Sequence, residues 1–145
     1  MPIDCFIADR AHRGLFDRVA DGVFDQDLDP DLVDAFLADE RHHIALACDT
    51  GSIVGFVSGV HYLHPDKPPE LWINEVGVAP SHRRQGLAAR LMTAMLSHAR
   101  ALGCVEAWVL AEEDDAVANA FYRSLAKPGD PTSEGAVMHS FDLRE

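Results

Sequence analysis

One segment carries most of the information in this sequence: Val76-Gly77-Val78-Ala79-Pro80-Ser81-His82-Arg83-Arg84-Gln85-Gly86-Leu87-Ala88. An apolar strand stops at Pro80, a short polar loop follows, and a long helix begins near Gly86. The first N–H groups of a helix have no partner inside the helix, and the helix dipole places partial positive charge beside them. A junction of this kind predicts an anion site.

The residue types in the loop favour phosphate. Gly86 has no Cβ, so a ligand oxygen can approach the backbone closely, and Ala88 is nearly as small. Arg83 and Arg84 supply positive charge where a pyrophosphate would lie. The alternative is a plain basic helix cap. Neither the G-K-[ST] ending of a P-loop nor the early glycines of the dinucleotide-binding fingerprint are present.

The strand before this loop contains a single carboxylate, Glu75. Because side chains alternate along a strand, we expect Glu75 to point to the same side as Ile73 and Gly77, opposite to Asn74. A carboxylate in an apolar sheet needs a partner or a wet cleft, and burial would raise its proton affinity toward that of a general base. The alternative is a structural carboxylate bonded to a neighbouring strand.

The remaining patterns predict an α/β chain with a mixed sheet flanked by helices. Helical spacing is expected over residues 15–24, from the Asp29-Pro30 start, over about 84–102, and from Asp114–Asp115, where Val117, Phe121 and Leu125 would face inward. Strands are expected at residues 3–7, 44–48, 53–60, 71–78, 105–110 and 136–141, with an irregular loop over residues 61–70. A chain of 145 residues fits one domain, residues 1–145.

The amino-acid composition limits the classes of molecule that this chain is expected to bind. The chain has 24 acidic and 12 basic residues, a formal net charge of −12, which disfavours nucleic acid and anionic membranes and favours small cationic molecules. Acidity for solubility alone is the simpler explanation, and the acidic residues between Asp21 and Asp34 are expected to be mostly a solvated face. With no signal-peptide pattern and no apolar run of about 20 residues, we expect a cytoplasmic protein.

Cysteine and histidine spacing does not indicate a metal site. Cys5, Cys48 and Cys104 form no C-x-x-C pair, and the last two are expected to be buried free thiols. The adjacent His42 and His43 would face opposite ways on a strand. No metal is therefore expected among the cofactors.

The pattern Arg83-x-x-Gly86-x-Ala88 resembles the R/Q-x-x-G-x-G/A signature of GNAT acetyltransferases. The resemblance implies a single GNAT-type domain with a largely antiparallel sheet, a central parallel strand pair splayed to admit acetyl-CoA, and about four helices. It implies acetyl-CoA as cosubstrate, held by Val76, Gly77, Val78, Arg83, Arg84, Gln85, Gly86, Leu87, Ala88, Asp115 and Asn119.

The same resemblance assigns two catalytic residues. Glu75 would accept the proton of the acceptor amine, and Tyr122, in Asp115-x-x-Ala118-x-x-Phe121-Tyr122, would protonate the departing thiolate. A backbone N–H near Val78 would stabilise the oxyanion. Asp115 stands where the family has asparagine, and Ala126-Lys127 replaces a glycine-aromatic pair, so the turn after Tyr122 is expected to differ from that of the family.

From about His43 onward the chain resembles the type I aminoglycoside 3-N-acetyltransferases, through Ile44-Ala45-Leu46-Ala47, Tyr62-x-x-x-Pro65, the carboxylate at Glu75 (an aspartate in that subfamily) and Ser81-His82-Arg83-Arg84-Gln85-Gly86. This implies 3-N-acetylation of an aminoglycoside. The acceptor site would use His61, Tyr62, Glu75, Glu112 and Asp114. Transfer to another small amine or a protein amine, and a non-catalytic acyl-CoA-binding protein, are the alternatives; a homodimer stays open.

Overall fold

A five-stranded mixed sheet organises the computed structural model, which describes residues 2–130 and 136–144. The strands lie side by side in chain order: β1 (Asp4–Ile7), β2 (His42–Asp49), β3 (Ser52–His64), β4 (Lys67–Val78) and β5 (Glu106–Val109). The first three pairings are antiparallel, and β4 pairs with β5 in parallel. The predicted mixed, largely antiparallel sheet with one parallel pair is confirmed.

In the part of the chain that the structure describes, three α-helices and two 3-10 helices accompany the sheet: α1 (Pro30–Ala38), α2 (Leu87–Ala101), α3 (Ala116–Leu125), and 3-10 helices at Arg10–Asp17 and Pro80–His82. The predicted start of α1 is confirmed, since the Asp29 carboxylate accepts from the N–H of Asp31 at 2.9 Å and Pro30 occupies the first turn. None of the helices in residues 2–130 is long and apolar enough to cross a bilayer.

Helix α2 covers one face of the sheet, here called the α2 face. Its buried side is formed by Leu87, Leu91, Met92, Met95 and Ala99. The helix packs closely because Gly55 of β3 has no side chain: a Cβ there would lie 3.2 Å from Leu91 Cδ1. This packing fixes the start of α2 relative to β3 and β4.

The prediction of an irregular loop over residues 61–70 is wrong. β3 continues to His64 and β4 begins at Lys67, so the two strands form one long hairpin. Pro68 and Pro69 lie in the first residues of β4, where a missing N–H is tolerated, and the Pro69 carbonyl accepts from Val105 at 3.0 Å. Backbone pairing therefore outweighs the proline signal.

The helix predicted over residues 15–24 is also wrong. The 3-10 helix ends at Asp17, Val19 bridges to Ile53, and turns follow. Helix α2 begins at Leu87 rather than near Arg84, because Arg84 and Gly86 adopt positive φ values of 64° and 74°, which a helix cannot contain.

The chain divides into two compact units, residues 1–110 and 111–145, and the second contains α3. Val117 is 82% exposed, against the prediction that it faces inward. The closing strand predicted over residues 136–141 is wrong as well: residues 136–144 have no regular structure, and Val137, Met138 and Phe141 are exposed. Alternation of apolar and polar residues gives a segment one apolar face, but a strand also needs a neighbouring strand for its backbone hydrogen bonds, and the pattern does not supply one.

Candidate active site

A β-bulge in β4 determines where Glu75 points. Ser58 of β3 pairs with Glu75, but the next residue of β3, Gly59, pairs with Ile73, so Asn74 is an extra residue in β4. An extra residue reverses the alternation of side chains beyond it. The prediction that Glu75 shares a side with Ile73 is therefore wrong.

The bulge places Glu75 on the face opposite α2, here called the loop face. Trp72 pairs with Val60 and Glu75 with Ser58, and these two β3 residues lie on one face because they are two positions apart. Ile73 points into the core beneath α2 and is 2% exposed, whereas Glu75 is an exposed residue. The carboxylate that sequence reasoning placed in an apolar sheet thus opens onto a surface.

Residues 23–25 pack against the loop face next to Glu75. The ring of Phe24 stacks on Phe56 with centroids 4.2 Å apart, and the carbonyl of Val23 lies directly over Gly77. This arrangement brings the carboxyl of Asp25 within hydrogen-bonding reach of Glu75. Asp25 is exposed, in line with the prediction of a mostly solvated acidic face, but its proximity to Glu75 was not predicted.

Partial desolvation and the neighbouring Asp25 change the proton affinity of Glu75 in the same direction. Desolvation raises the pKa of the Glu75 carboxyl above its ordinary 4.5, and the hydrogen bond and negative charge of Asp25 raise it further. A negative charge beside a carboxyl group disfavours the loss of its proton. Glu75 therefore has the direction of pKa shift that a general base working near neutral pH requires.

We predict that Gly77→Ala lowers the free energy of unfolding by about 2 kcal/mol, because the added Cβ would collide with the Val23 carbonyl and lie 2.7 Å from Phe56 Cε1. Chemical denaturation followed by circular dichroism measures the change. Gly14→Ala is the matched control, since a Cβ at Gly14 meets no atom within 4 Å. Equal stability of the two variants would contradict the packing of residues 23–25 described above.

The second half of β4 has an open edge. β5 pairs only with Glu70–Ile73, and within the described ranges no strand pairs with residues 74–78 on that side. The N–H of Ala79 donates to Val54 of β3 at 2.8 Å. Because backbone groups alternate in direction, those of Val76 and Val78 point away from β3, toward the open edge.

The loop after β4 presents unpaired amides. Among residues 2–130 and 136–144, the N–H groups of Arg83, Arg84, Gln85, Gly86, Leu87 and Ala88 take part in no hydrogen bond. Gly86 is the N-cap of α2 in the left-handed conformation, and a Cβ there would meet open space. Arg84 holds φ at 64°, a conformation that is costly for a residue with a Cβ. The predicted anion site has the free donors that it needs.

Two residues that sequence reasoning missed hold this loop in place. Nε2 of His82 lies 2.7 Å from Oδ2 of Asp49 at the end of β2, and Nδ1 of His82 lies 2.8 Å from the Ser81 hydroxyl. Arg83 Nε donates to the Val78 carbonyl at 3.4 Å. No sequence signal connects His82 to Asp49, because their contact depends on the sheet.

Aromatic side chains line the loop face beyond Glu75. Trp72 and Trp108 stack with centroids 5.5 Å apart, and Trp108 Nε1 donates to the Tyr62 hydroxyl at 2.9 Å. The Tyr62 hydroxyl donates in turn to Glu70 Oε1 at 3.0 Å. Of these residues only Tyr62 was predicted to be functional. For Glu70 and Trp72, the available sequence signal was their spacing of two residues, which places both side chains on one face of a strand.

His61 turns to the opposite face. Its Nδ1 lies 2.7 Å from His43 Nε2, and His43 Nδ1 lies 3.0 Å from Nε2 of His98 on α2. The structure therefore separates His61 from Glu75 and Tyr62, with which it was grouped as an acceptor residue. Within the described residues no set of three His, Cys, Asp or Glu side chains could hold a metal ion. The three cysteines are free and half-buried.

The histidine chain predicts a loss of stability in acid. His43 is 8% exposed, and desolvation together with the neighbouring His98, His61 and His42 lowers its pKa to about 4, while Asp39 acts in the opposite direction. Between pH 6.5 and 4 the unfolded chain binds a proton that the folded chain does not. Stability therefore falls as the pH drops through this window, by on the order of 3 kcal/mol from His43.

Denaturant unfolding at several pH values measures this loss. His43→Gln keeps one donor and one acceptor but does not titrate, so its stability should depend less steeply on pH than that of the wild-type chain. Parallel pH profiles for the two proteins would contradict the assignment to His43.

In the second unit, the predicted cofactor residues hold the start of α3. The Asp115 carboxylate accepts from the Ala118 N–H at 3.0 Å, and the Asn119 amide donates to the carbonyls of Glu112 and Asp115. Desolvation and the charge of Asp115 raise the pKa of the Tyr122 phenol. Glu112 and Asp114 are exposed. Contacts of these residues with acetyl-CoA or an acceptor stay predictions.

A family model and the curated relatives both identify this chain with acetyltransferases. A family model described as the acetyltransferase (GNAT) family matches residues 7–126. L-2,4-diaminobutyric acid acetyltransferase of Streptomyces anulatus is 31% identical over 98 residues, 66% of this chain and 53% of that protein. The protein of the same name from Oceanobacillus iheyensis is 36% identical over 61 residues, 42% of this chain and 33% of that protein. The chain thus spans about a third to a half of these curated relatives.

Solved structures share the fold along nearly the whole chain. An aminoglycoside acetyltransferase from an uncultured soil metagenomic sample, in complex with sisomicin, has a TM-score of 0.75 at 21% identity and covers 99% of this chain and 97% of that one. The aminoglycoside N-acetyltransferase AAC(6')-Iy in complex with CoA has a TM-score of 0.72 at 20% identity, covering 97% and 95%. At this identity the likeness shows a common fold.

Proposed function

Since the matching family model covers most of its length, this chain belongs to the acetyltransferase (GNAT) family, and we propose that it transfers an acetyl group from acetyl-CoA to a primary amine of a small cationic acceptor. One observation carries the proposal. Strand β4 contains Glu75 and has an open edge from residue 74 to residue 78, and the unpaired amides of residues 83–88 follow directly after this strand. An anion site, a docking edge and a base are thus parts of one strand–loop–helix element.

In this proposal the pyrophosphate of acetyl-CoA binds at the start of α2. The amides between Arg83 and Ala88 donate to its oxygens, and the side chains of Arg83 and Arg84 add charge. The thioester arm runs along the open edge of β4, where Val76 offers its backbone N–H and carbonyl and Val78 offers its N–H, while the Val78 carbonyl accepts from Arg83 Nε. Gly77, also predicted to bind the cosubstrate, points its backbone groups toward β3 and contributes close packing instead.

The proposed reaction is direct acyl transfer. The neutral amine nitrogen attacks the thioester carbonyl, a C–N bond forms, and a backbone N–H of Val76 or Val78 donates to the oxyanion of the tetrahedral intermediate. Glu75 accepts the proton that the amine loses, directly or through water. The C–S bond then breaks, and the sulfur leaves as a thiol with a proton from Tyr122, a phenol that is protonated at neutral pH.

Two classes of acceptor are supported by the comparisons. Solved neighbours are named aminoglycoside acetyltransferases, one of them AAC(6')-Iy, which supports an aminoglycoside as the acceptor that we propose first. Acetylation at the 3-N position is proposed from the sequence resemblance alone. The curated relatives are named diaminobutyric acid acetyltransferases, which supports a small diamine as the second candidate. Both acceptors carry more than one amine, and the net charge of −12 favours such cations over neutral molecules.

Thiol release from acetyl-CoA tests the proposal. Kanamycin, sisomicin, 2,4-diaminobutyrate and a lysine peptide serve as acceptors, and mass spectrometry of the product locates the acetyl group. We expect saturable turnover with at least one of the cationic small molecules. Tight binding of acetyl-CoA by calorimetry without thiol release to any acceptor would instead identify a non-catalytic acyl-CoA-binding protein.

A further inference from the structure

We propose that the acceptor carries two amine groups about 10 Å or more apart, one reacting as the neutral amine at Glu75 and the other bound as an ammonium group by Glu70 at the far end of the loop face. The body of the acceptor would lie across the Trp72–Trp108 stack between them. This inference rests on the proposed function and specifies its substrate class.

The tryptophan stack provides a surface that suits the body of a cation. Trp72 lies on β4 between Glu70 and Glu75, on the same face as both, and its ring stacks on Trp108 at an interplanar angle of 14°. Both tryptophans are only half-buried, so ring atoms remain accessible. Aromatic faces attract ammonium groups and pack against the carbon atoms between them.

The far end of the stack holds an oriented carboxylate. Oε1 of Glu70 accepts from the Tyr62 hydroxyl, which is itself fixed by the Trp108 indole, and within the described residues Oε2 of Glu70 takes part in no hydrogen bond. Glu106, the β5 partner of Glu70, adds a second negative charge. A carboxylate that is ordered by a neutral partner and keeps one oxygen free is suited to bind an ammonium group.

The spacing of the two ends sets the length of the acceptor. Glu75 lies five positions after Glu70, about 16 Å along a regular strand, and the bulge shortens this distance. Glutamate side chains that lean toward each other bring their carboxylates to roughly 10 Å. Two amines of 2,4-diaminobutyrate are joined through three carbon atoms and lie about 5 Å apart at most, too short to reach both ends.

A series of linear diamines measures this spacing directly. The α,ω-diaminoalkanes from three to twelve carbons, each paired with the monoamine of equal length, are assayed for kcat/KM by thiol release. We expect kcat/KM to rise about tenfold or more near eight carbons, where the nitrogens are roughly 10 Å apart, and the monoamines to show no such rise. An aminoglycoside, a linear polyamine and 2,4-diaminobutyrate then identify which source of paired amines is preferred.

Glu70→Gln provides the mutational arm, because glutamine still accepts from Tyr62 but has lost the charge. The variant should lose the advantage of long diamines and keep the rate with monoamines. Glu40→Gln removes an exposed negative charge elsewhere in the chain and serves as the matched control. A length-independent kcat/KM, or unchanged long-diamine kinetics in Glu70→Gln, overturns the inference.

A binding measurement separates this inference from the proposed function. The chain contains two tryptophans, and both lie in the stack, so tryptophan fluorescence reports on this surface alone. Length-dependent quenching by the diamines without thiol release would reject catalysis and keep the acceptor site. Thiol release without length-dependent quenching or rates would keep catalysis and reject the two-point site.

Discussion

Glu75→Gln is expected to lower kcat by about 100- to 10,000-fold with little change in the affinity for acetyl-CoA. Glutamine has the size of glutamate but cannot accept the proton that the amine must lose. The amides of residues 83–88 lie outside the substituted side chain, so the site proposed for the cosubstrate is left intact. Steady-state thiol release and calorimetric titration with acetyl-CoA measure the two quantities.

The neighbour of Glu75 gives this prediction a finer test. Removal of the Asp25 charge takes away a cause of the raised pKa of Glu75, so Asp25→Asn should move the acidic limb of the kcat/KM profile to lower pH. Asp27→Asn, a matched loss of an exposed charge two residues away, should leave the limb in place. Turnover by Glu75→Gln at the wild-type rate would remove Glu75 from the mechanism, whatever the pH profiles show.

Gly86→Val is expected to weaken acetyl-CoA binding by about 100-fold. At φ of 74° a β-branched residue is strongly disfavoured, so the backbone must rotate and the amides on either side of residue 86 lose their common direction. The loss of two hydrogen bonds to a charged group accounts for a factor of this size. Isothermal titration calorimetry with acetyl-CoA and with CoA measures the dissociation constants.

Helix α2 supplies its own control for this experiment. Gly103, after the other end of the helix, has φ of 89° and equally open surroundings, so Gly103→Val costs a similar backbone strain far from the proposed pyrophosphate site. Both variants should lose stability by about 1–2 kcal/mol, whereas only Gly86→Val should lose affinity. Equal affinity of the two variants would place the cosubstrate elsewhere.

The parts of the fold that sequence could predict are those governed by local chemistry. Asp29 and Pro30 at the start of α1 act through their nearest neighbours, and the strand–loop–helix segment ending in Gly86 combines a strand stop with a helix start. The mixed sheet follows from the order of such elements. The hairpin through Pro68 and the unformed strand over residues 136–141 were missed because both depend on whether a distant strand supplies hydrogen bonds.

In the candidate site too, features set by local sequence were predicted and features that depend on distant contacts were not. Glu75 and the residues around Gly86 were found because their types are unusual in their setting. The direction of Glu75 could not be found, since the extra residue at Asn74 exists only relative to β3. Asp25 lies 50 positions before Glu75 in a run of similar acidic residues, and the packing of residues 23–25 on the loop face, with Phe24 stacked on Phe56, brings it there.

The bulge at Asn74 also affects how this protein can diversify. Deletion of that one residue would leave Ser58 opposite Glu75 and Gly59 opposite Ile73, so the ribbon would become regular while every side chain kept its present surface. New acceptor preferences in descendants can therefore be reached by loss of Asn74 as well as by substitutions at positions such as Glu70 and Trp72. Removal of this unpaired residue leaves both the carboxylate and the core in place.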